Sequence, residues 1–412
     1  MRKNKFRRVK IDQKLFPIWG YGIYLLFLIG VPYMLIYSIR SRDGGMITVS
    51  LFVVAIIVGL HILYFKFKSG RWIENKLRWL VETNRWYESQ TLSDGTKQFT
   101  YLPDIRYMQT AESLYISFDL DGSAKSKQYR GLKTQLKDCF NMACASVNET
   151  NGQIIYELVD DSYFEPLQAD ENTDYSNFCN EERVLLGKHM TWNWRSAPHG
   201  LITGGTGSGK SYFLLFLFKC FNSIHADIRI IDPKKSDLYK LGIFLSVPTA
   251  CEPNQIAKLL RETEEVMDQR YMDMEQIGAD YYTLGLNPCF IFFDEAMAFS
   301  GGSADEKLKK ECRKALLSIV AKGRQAGVNV ILSAQRPDTE FLGGGAVRDQ
   351  LGMRVALGNL SRTGIEMVYG NDYKDIKPRF SGKGEGLIYV DGFTHEPMEF
   401  KTPRLRNAWV IK

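Results

Sequence analysis

Residues 199–218 read HGLITGGTGSGKSYFLLFLF: an apolar run, a glycine-rich turn closing on Gly209-Lys210-Ser211, then a second apolar run. Few folds accommodate that order. Glycine backbones curl where other residues resist, so successive N–H groups of the turn can face inward. A helix starting just after them adds its own unpaired N–H groups and the positive end of its dipole. The spacing Gly204-x-x-x-x-Gly209-Lys210-Ser211 between strand and helix is therefore a phosphate cradle. In it Gly204, Gly205, Thr206, Gly207, Ser208 and Gly209 wrap the anion, Lys210 reaches the β and γ oxygens, and the Ser211 hydroxyl holds Mg2+. ATP and Mg2+ are the implied ligands. An α/β fold with a parallel sheet is the implied scaffold.

Two later stretches supply the partners such a cradle needs. CFIFFDEA (residues 289–296) is a buried-strand run ending in Asp294 and Glu295. At a strand end beside the cradle, Asp294 would hold the metal, directly or through water, and Glu295 would polarise the attacking water. VNVILSAQ (residues 328–335) reads as a further strand of the same sheet, stopped by Pro337. Ligands bind at the carboxyl ends of such strands. Gln335 is thus expected beside the γ-phosphate, where a group that senses hydrolysis can drive movement.

The start of the chain has another character. Residues 15–39 and 46–65 carry no charged side chain, and each is long enough to cross ~30 Å of hydrocarbon at ~1.5 Å per residue. Basic residues flank both runs on the outside, so the expectation is a transmembrane hairpin in the cell membrane, multi-pass with two spans and both termini cytoplasmic. His61, inside the second run, reads as reaching the interface or a neighbouring helix. Six Lys/Arg in the first ten residues account for the net charge of +6; the other 402 residues balance 47 basic against 47 acidic groups. That excludes a chain coated with positive charge, and leaves nucleic acid only a local patch or channel. Seven scattered cysteines without a Cys-x-x-Cys pair argue for reduced thiols and against a zinc site.

Arg-Trp recurs every seven residues at 71/72, 78/79 and 85/86. This reads as one aromatic stripe on an amphipathic helix, either a self-association or lipid-headgroup surface or a helix packed on its own domain. Residues 104–110, 114–120 and 153–159 read as strands around a helical stretch at 125–146, and the acid-rich segment 160–182 reads as a linker. The expected organisation is a basic tail (1–14), two spans (15–67), a juxtamembrane helix (68–91), a small α/β domain with its linker (92–183) and an ATPase domain (184–412).

APHGLITGGTGSGKS, IIDPKKSDL, EEVMDQRYMDM, IFFDEA, GRQAGVNVILSAQRPD and SRTGIEMVYG occur in this order between residues 197 and 370. In that set the chain resembles the FtsK/SpoIIIE family of DNA translocases over about half its length. The resemblance implies a RecA-like P-loop NTPase motor that assembles as a homo-hexamer, with DNA in the channel and ATP between subunits. It also implies an arginine donated by the neighbour; Arg354 in GMRVAL stands where similar proteins have one, with Arg324, Arg336 and Arg362 as rivals. Asp232 and Lys234 match a family motif and imply a site-shaping role. The glycine-rich segment 341–348 is a candidate DNA loop or a plain surface loop. With two apolar runs and no winged-helix pattern after the motor, the chain looks like the short, membrane-anchored coupling proteins (TcpA-like) of Gram-positive conjugative elements. Those imply DNA, a relaxase and components of a type IV-like secretion channel as partners. A type VII-like protein-secretion motor, a chromosome-segregation pump and a nucleotide-gated scaffold are the alternatives.

Overall fold

The computed structural model describes residues 6–9, 72–94, 97–150, 152–277, 280–296, 299, 305–335, 345–376 and 380–406. The chain divides into two compact units, one ending at Asp160 and the other starting at Asp161.

The first unit is built on a five-stranded antiparallel sheet. Its edge strand is Arg7–Arg8, from the basic run read as a tail, paired with Ile105–Gln109 and tied by Arg8 to Asp104 at 3.1 Å. The Arg-Trp segment belongs to this unit's core. Ile73, Leu77, Leu80 and Val81 of a helix spanning residues 72–83 are buried against Ile105, Ile116, Phe118 and Tyr156. The helix stops before the third repeat, and Arg85 turns the chain with a left-handed φ of 52°. Trp86 consequently leaves the stripe and is buried, its Nε1–H donating to Gln128 Oε1 at 2.9 Å. Trp72 and Trp79 stay on the helix surface, 45% and 56% exposed. The helical reading over 125–146 also breaks. Asn141 takes a left-handed φ of 52° at the end of the Lys133–Phe140 helix, and Ala143–Thr150 pairs as a strand.

The second unit carries an eight-stranded sheet. In chain order its strands are β1 (Gly200–Gly204), β2 (Asp227–Ile231), β3 (Thr249–Ala250), β4 (Cys289–Phe293), β5 (Val328–Ala334), β6 (Met353–Leu357), β7 (Glu385–Val390) and β8 (Met398–Lys401). In space they lie 3-2-4-5-1-6-7-8, the first six parallel and the last two joined antiparallel. Every residue of β1, β4, β5 and β6 is buried, as expected of strands covered on both faces. Helix α1 (Lys210–Ser223) presses Phe213, Phe218 and Phe221 onto the sheet, with Phe221 stacked on Phe290 at 3.6 Å, while Phe216 packs against Tyr175 and Phe178. The acid-rich segment is not a solvated linker. Gln168–Ala169 pairs with Arg404–Leu405, and Tyr175 and Cys179 are buried in this unit.

One expectation is corrected outright. Among the described residues no helix is long and apolar enough to cross a membrane, so the two-span, multi-pass assignment does not stand. The runs 15–39 and 46–65 that suggested it, with His61, lie outside the described residues.

Candidate active site

The cradle forms at the carboxyl end of β1, as a βα turn requires. Two of its glycines are demanded by close approach and backbone conformation together. At Gly204, with φ of 151°, a Cβ would sit 2.6 Å from the Leu357 carbonyl oxygen. At Gly209, with φ of 108°, it would sit 3.0 Å from Gly384 Cα. At Gly205 and Gly207 an added Cβ meets nothing within 4 Å, so this part of the loop borders open space. Helix α1 starts at Gly209 with no side-chain cap, which leaves its first N–H groups for an anion. Lys210 donates to the Gly204 carbonyl at 2.5 Å. Burial pushes its ammonium below the ordinary value, while Glu295 and Asp294 pull the other way. Ser211 is exposed at the mouth. Open glycines, an uncapped helix start and a half-buried lysine in the field of two carboxylates fit a nucleotide's phosphates and an accompanying Mg2+.

The acid pair lies across one intervening strand. Strand β5 separates β4 from β1; Phe293 is level with Leu332 and Leu201, so β4 ends short of β1 and the acid pair continues from there toward the cradle's level. Asp294 is buried; its Oδ1 accepts from Ser333 Oγ at 2.5 Å and its Oδ2 faces Ser236 Oγ at 3.2 Å. The Ser333 hydroxyl thus engages one oxygen, while the Ser236 hydroxyl, nearer to Asp232 at 2.6 Å, stands beside the other. Glu295 has a left-handed φ of 49°, uncommon for a residue with a side chain and typical of functional turns. Its Oε2 lies 3.3 Å from Lys234 Nζ, and its Oε1 is buried without a hydrogen-bond partner among the described residues.

Gln335 follows Ala334 at the end of β5, exposed, between the acid pair's strand and the cradle's. Arg336, Pro337 and residues 341–344 of the candidate DNA loop lie outside the described residues. Arg354 is not brought to this end. It pairs in register with Leu201, three residues before Gly204, about 10 Å down the sheet at ~3.3 Å per residue. Its guanidinium is buried over the Tyr389 ring at 4.4 Å, with Nε unpaired and Asp349 at 3.7 Å. The resemblance implied that Arg354 is donated to a neighbour; here its side chain is packed within its own unit. Of the rivals, Arg362 is exposed but tied to Asp375 at 2.8 Å, and Arg324 is exposed in the last turn of the Glu306–Ala326 helix.

The FtsK/SpoIIIE family profile matches residues 168–287. The FtsK domain-containing protein YdcQ of Bacillus subtilis (strain 168) is 32% identical over 369 residues, 86% of this chain and 74% of that protein. The chain belongs to the FtsK/SpoIIIE family. It is a P-loop ATPase. The DNA translocase FtsK of Corynebacterium efficiens is 26% identical over 248 residues, 55% of this chain but a quarter (25%) of that protein's length. In fold, the chain is similar to the solved monomer form of the pCW3 conjugation coupling protein TcpA with ATPγS: TM-score 0.51, 17% identity, 76% of this chain and 90% of that one covered.

Within this FtsK/SpoIIIE site, three groups escaped the sequence reading. Ser333 and Ser236 both engage Asp294, but nothing in a row of letters says which serine of a neighbouring strand or loop will be level with it. The loop around Gly384 buttresses the cradle, donating its N–H to the Ser208 carbonyl at 2.8 Å. The three alternating glycines of SGKGEG were the available signal. Lys234 was read as shaping the site; its contact with Glu295 was not foreseen.

Proposed function

We propose that this FtsK/SpoIIIE ATPase is an ATP-driven DNA translocase that works as a homo-hexameric ring, and that its task is the coupling step of conjugative DNA transfer. The observation that carries the motor reading is the acid pair, with Glu295 Oε1 buried and unpartnered, set one strand from an open cradle. DNA as substrate is supported by the family and by relatives named as DNA translocases. The coupling role is supported by a fold shared with 90% of a conjugation coupling protein; on this reading a relaxase and a type IV-like channel are the partners.

In this mechanism Gly204 to Gly209 and the α1 N-terminus bind the phosphates, and Lys210 swings from the Gly204 carbonyl to the anion. Ser211 and Asp294 would hold Mg2+, which supplies charge neutralisation for the phosphoryl transfer. Glu295 Oε1 accepts a hydrogen bond from the attacking water and orients it. Gln335 makes contacts that differ before and after cleavage and passes that difference to the segment beyond it. Arg324, exposed and without an ion pair among the described residues, is the arginine that reaches the neighbour's site.

The deciding measurement is ATP hydrolysis by assembled rings with no DNA, duplex DNA or single-stranded DNA. Stimulation by either form is expected, and an indifferent ring would remove the translocase reading. In mixed rings Arg324→Ala should depress the activity of intact neighbours and Arg354→Ala should not; the reverse result would restore Arg354.

A further inference from the structure

Lys234 and Lys235 are adjacent, yet the fold sends them to different partners. Asp232, fully buried at the end of β2, accepts from the Lys234 N–H at 3.0 Å and so fixes that backbone. Lys235 then takes a left-handed φ of 51° and pairs outward with Glu252 at 2.8 Å. Lys234 is left to face the acid pair. Strands β2 and β4 are neighbours, and the Asp294 N–H donates to the Ile231 carbonyl at 2.8 Å, so the 232–236 loop and the acid pair spring from adjacent strand ends. Ser236 completes the join, its Oγ lying 2.6 Å from Asp232 and 3.2 Å from Asp294.

The two oxygens of Glu295 are thereby made unequal. Oε2 is held by Lys234 at 3.3 Å, while Oε1 is buried with no partner among the described residues. The Glu295 side chain is only 10% exposed, and packing alone does not set apart its two chemically equivalent oxygens. An ammonium on one of them does, since rotating the carboxyl would break the ion pair without satisfying Oε1. From this geometry we infer that Lys234 is a positioning residue: it clamps Oε2 of Glu295 so that Oε1 is the oxygen presented to the attacking water. The inference rests on the proposed role of Glu295 as the water-orienting group. The charged groups around this carboxylate are Lys234, Lys210 and Asp294. Lys210 is the phosphate-binding candidate, so the clamp and the substrate contact fall on different lysines.

The test uses the full chain and Mg-ATP. Lys234→Met keeps the stem and removes the charge. It should lower kcat about tenfold to a hundredfold while ATP KM and nucleotide affinity stay within about twofold. Lys234→Arg should recover most of the loss. Added to Glu295→Gln, Lys234→Met should cost nothing more in single turnover, since its effect passes through Glu295. Retained nucleotide binding shows that the variant is folded. A loss carried by KM or affinity would make Lys234 a phosphate ligand and overturn the inference. So would an unchanged kcat in Lys234→Met where Glu295→Gln is inactive, and in that case the role of Glu295 would survive. An active Glu295→Gln would overturn both.

Discussion

Replacing Asp232 with asparagine exchanges one oxygen for an amino group at a fully buried position, and the consequence can be worked from its four partners. Oδ1 accepts from the Lys234 N–H at 3.0 Å; Oδ2 accepts from the Ser236 N–H at 2.8 Å, the Ser236 hydroxyl at 2.6 Å and the Tyr239 N–H at 3.2 Å. An amide retains one acceptor. In its better orientation the carbonyl keeps the three bonds at Oδ2, and the new NH2 group confronts the Lys234 N–H. One charge-assisted bond, about 1.5–3 kcal/mol, is lost with its donor left unpaired, and each of the other three weakens by about 1 kcal/mol on becoming neutral. Relief from burying a charge offsets a few kcal/mol of this. The balance is a loss of about 3 kcal/mol, or about a hundredfold in the opening constant of the loop. A chain of two units has no single unfolding free energy, so amide hydrogen exchange across residues 233–244 is the suitable assay. Asp237→Asn is the control: that side chain is 56% exposed and pairs only loosely with Lys240, at 3.5 Å, so it should cost less than about 1 kcal/mol. Equal protection in Asp232→Asn and native protein would refute the reasoning and show that the loop is held by its exposed contacts.

Gly209→Ala forces a side chain onto a φ of 108° and to within 3.0 Å of Gly384; fluorescent-nucleotide titration should show affinity reduced at least about tenfold. Trp86→Ala removes a buried indole and its bond to Gln128 and should destabilise the first unit by about 3–5 kcal/mol, against about 0.5 kcal/mol for the half-exposed Trp79→Ala, read from denaturant midpoints. His199 is fully buried, its Nδ1 accepting from the Val330 N–H at 3.1 Å, and burial holds its pKa down to about 4 from 6.5. Between those values the unfolded chain binds a proton that the folded chain does not. The second unit should thus be fully stable above about pH 6.5 and lose up to about 3 kcal/mol on descending to about pH 4, a dependence that His199→Asn should flatten.

The order of motifs settles a good deal without coordinates. A glycine-rich turn between an apolar strand and an apolar helix closes one way, so the cradle and its α/β setting were legible in residues 199–218, and the buried runs ending in Asp294 and Gln335 could be assigned to the same sheet edge. These are local patterns, written within a few residues of where they act. What the tertiary structure decided is what meets what across strands. The sequence does not contain the strand order that puts β5 between β4 and β1, and therefore could not say that Ser333 meets Asp294 or that Lys234 meets Glu295. Burial was equally beyond it for single residues. Arg354 and Arg324 are both arginines near motifs, yet one stacks on Tyr389 inside the core and the other stands exposed at a helix end. The heptad of Arg-Trp pairs was a true period in the letters, but the helix ends at residue 83, and a left-handed turn at Arg85 sends Trp86 into the core while its two predecessors remain outside. A period fixes a face only as far as the helix runs, and where the helix stops depends on backbone conformation and packing outside the repeat.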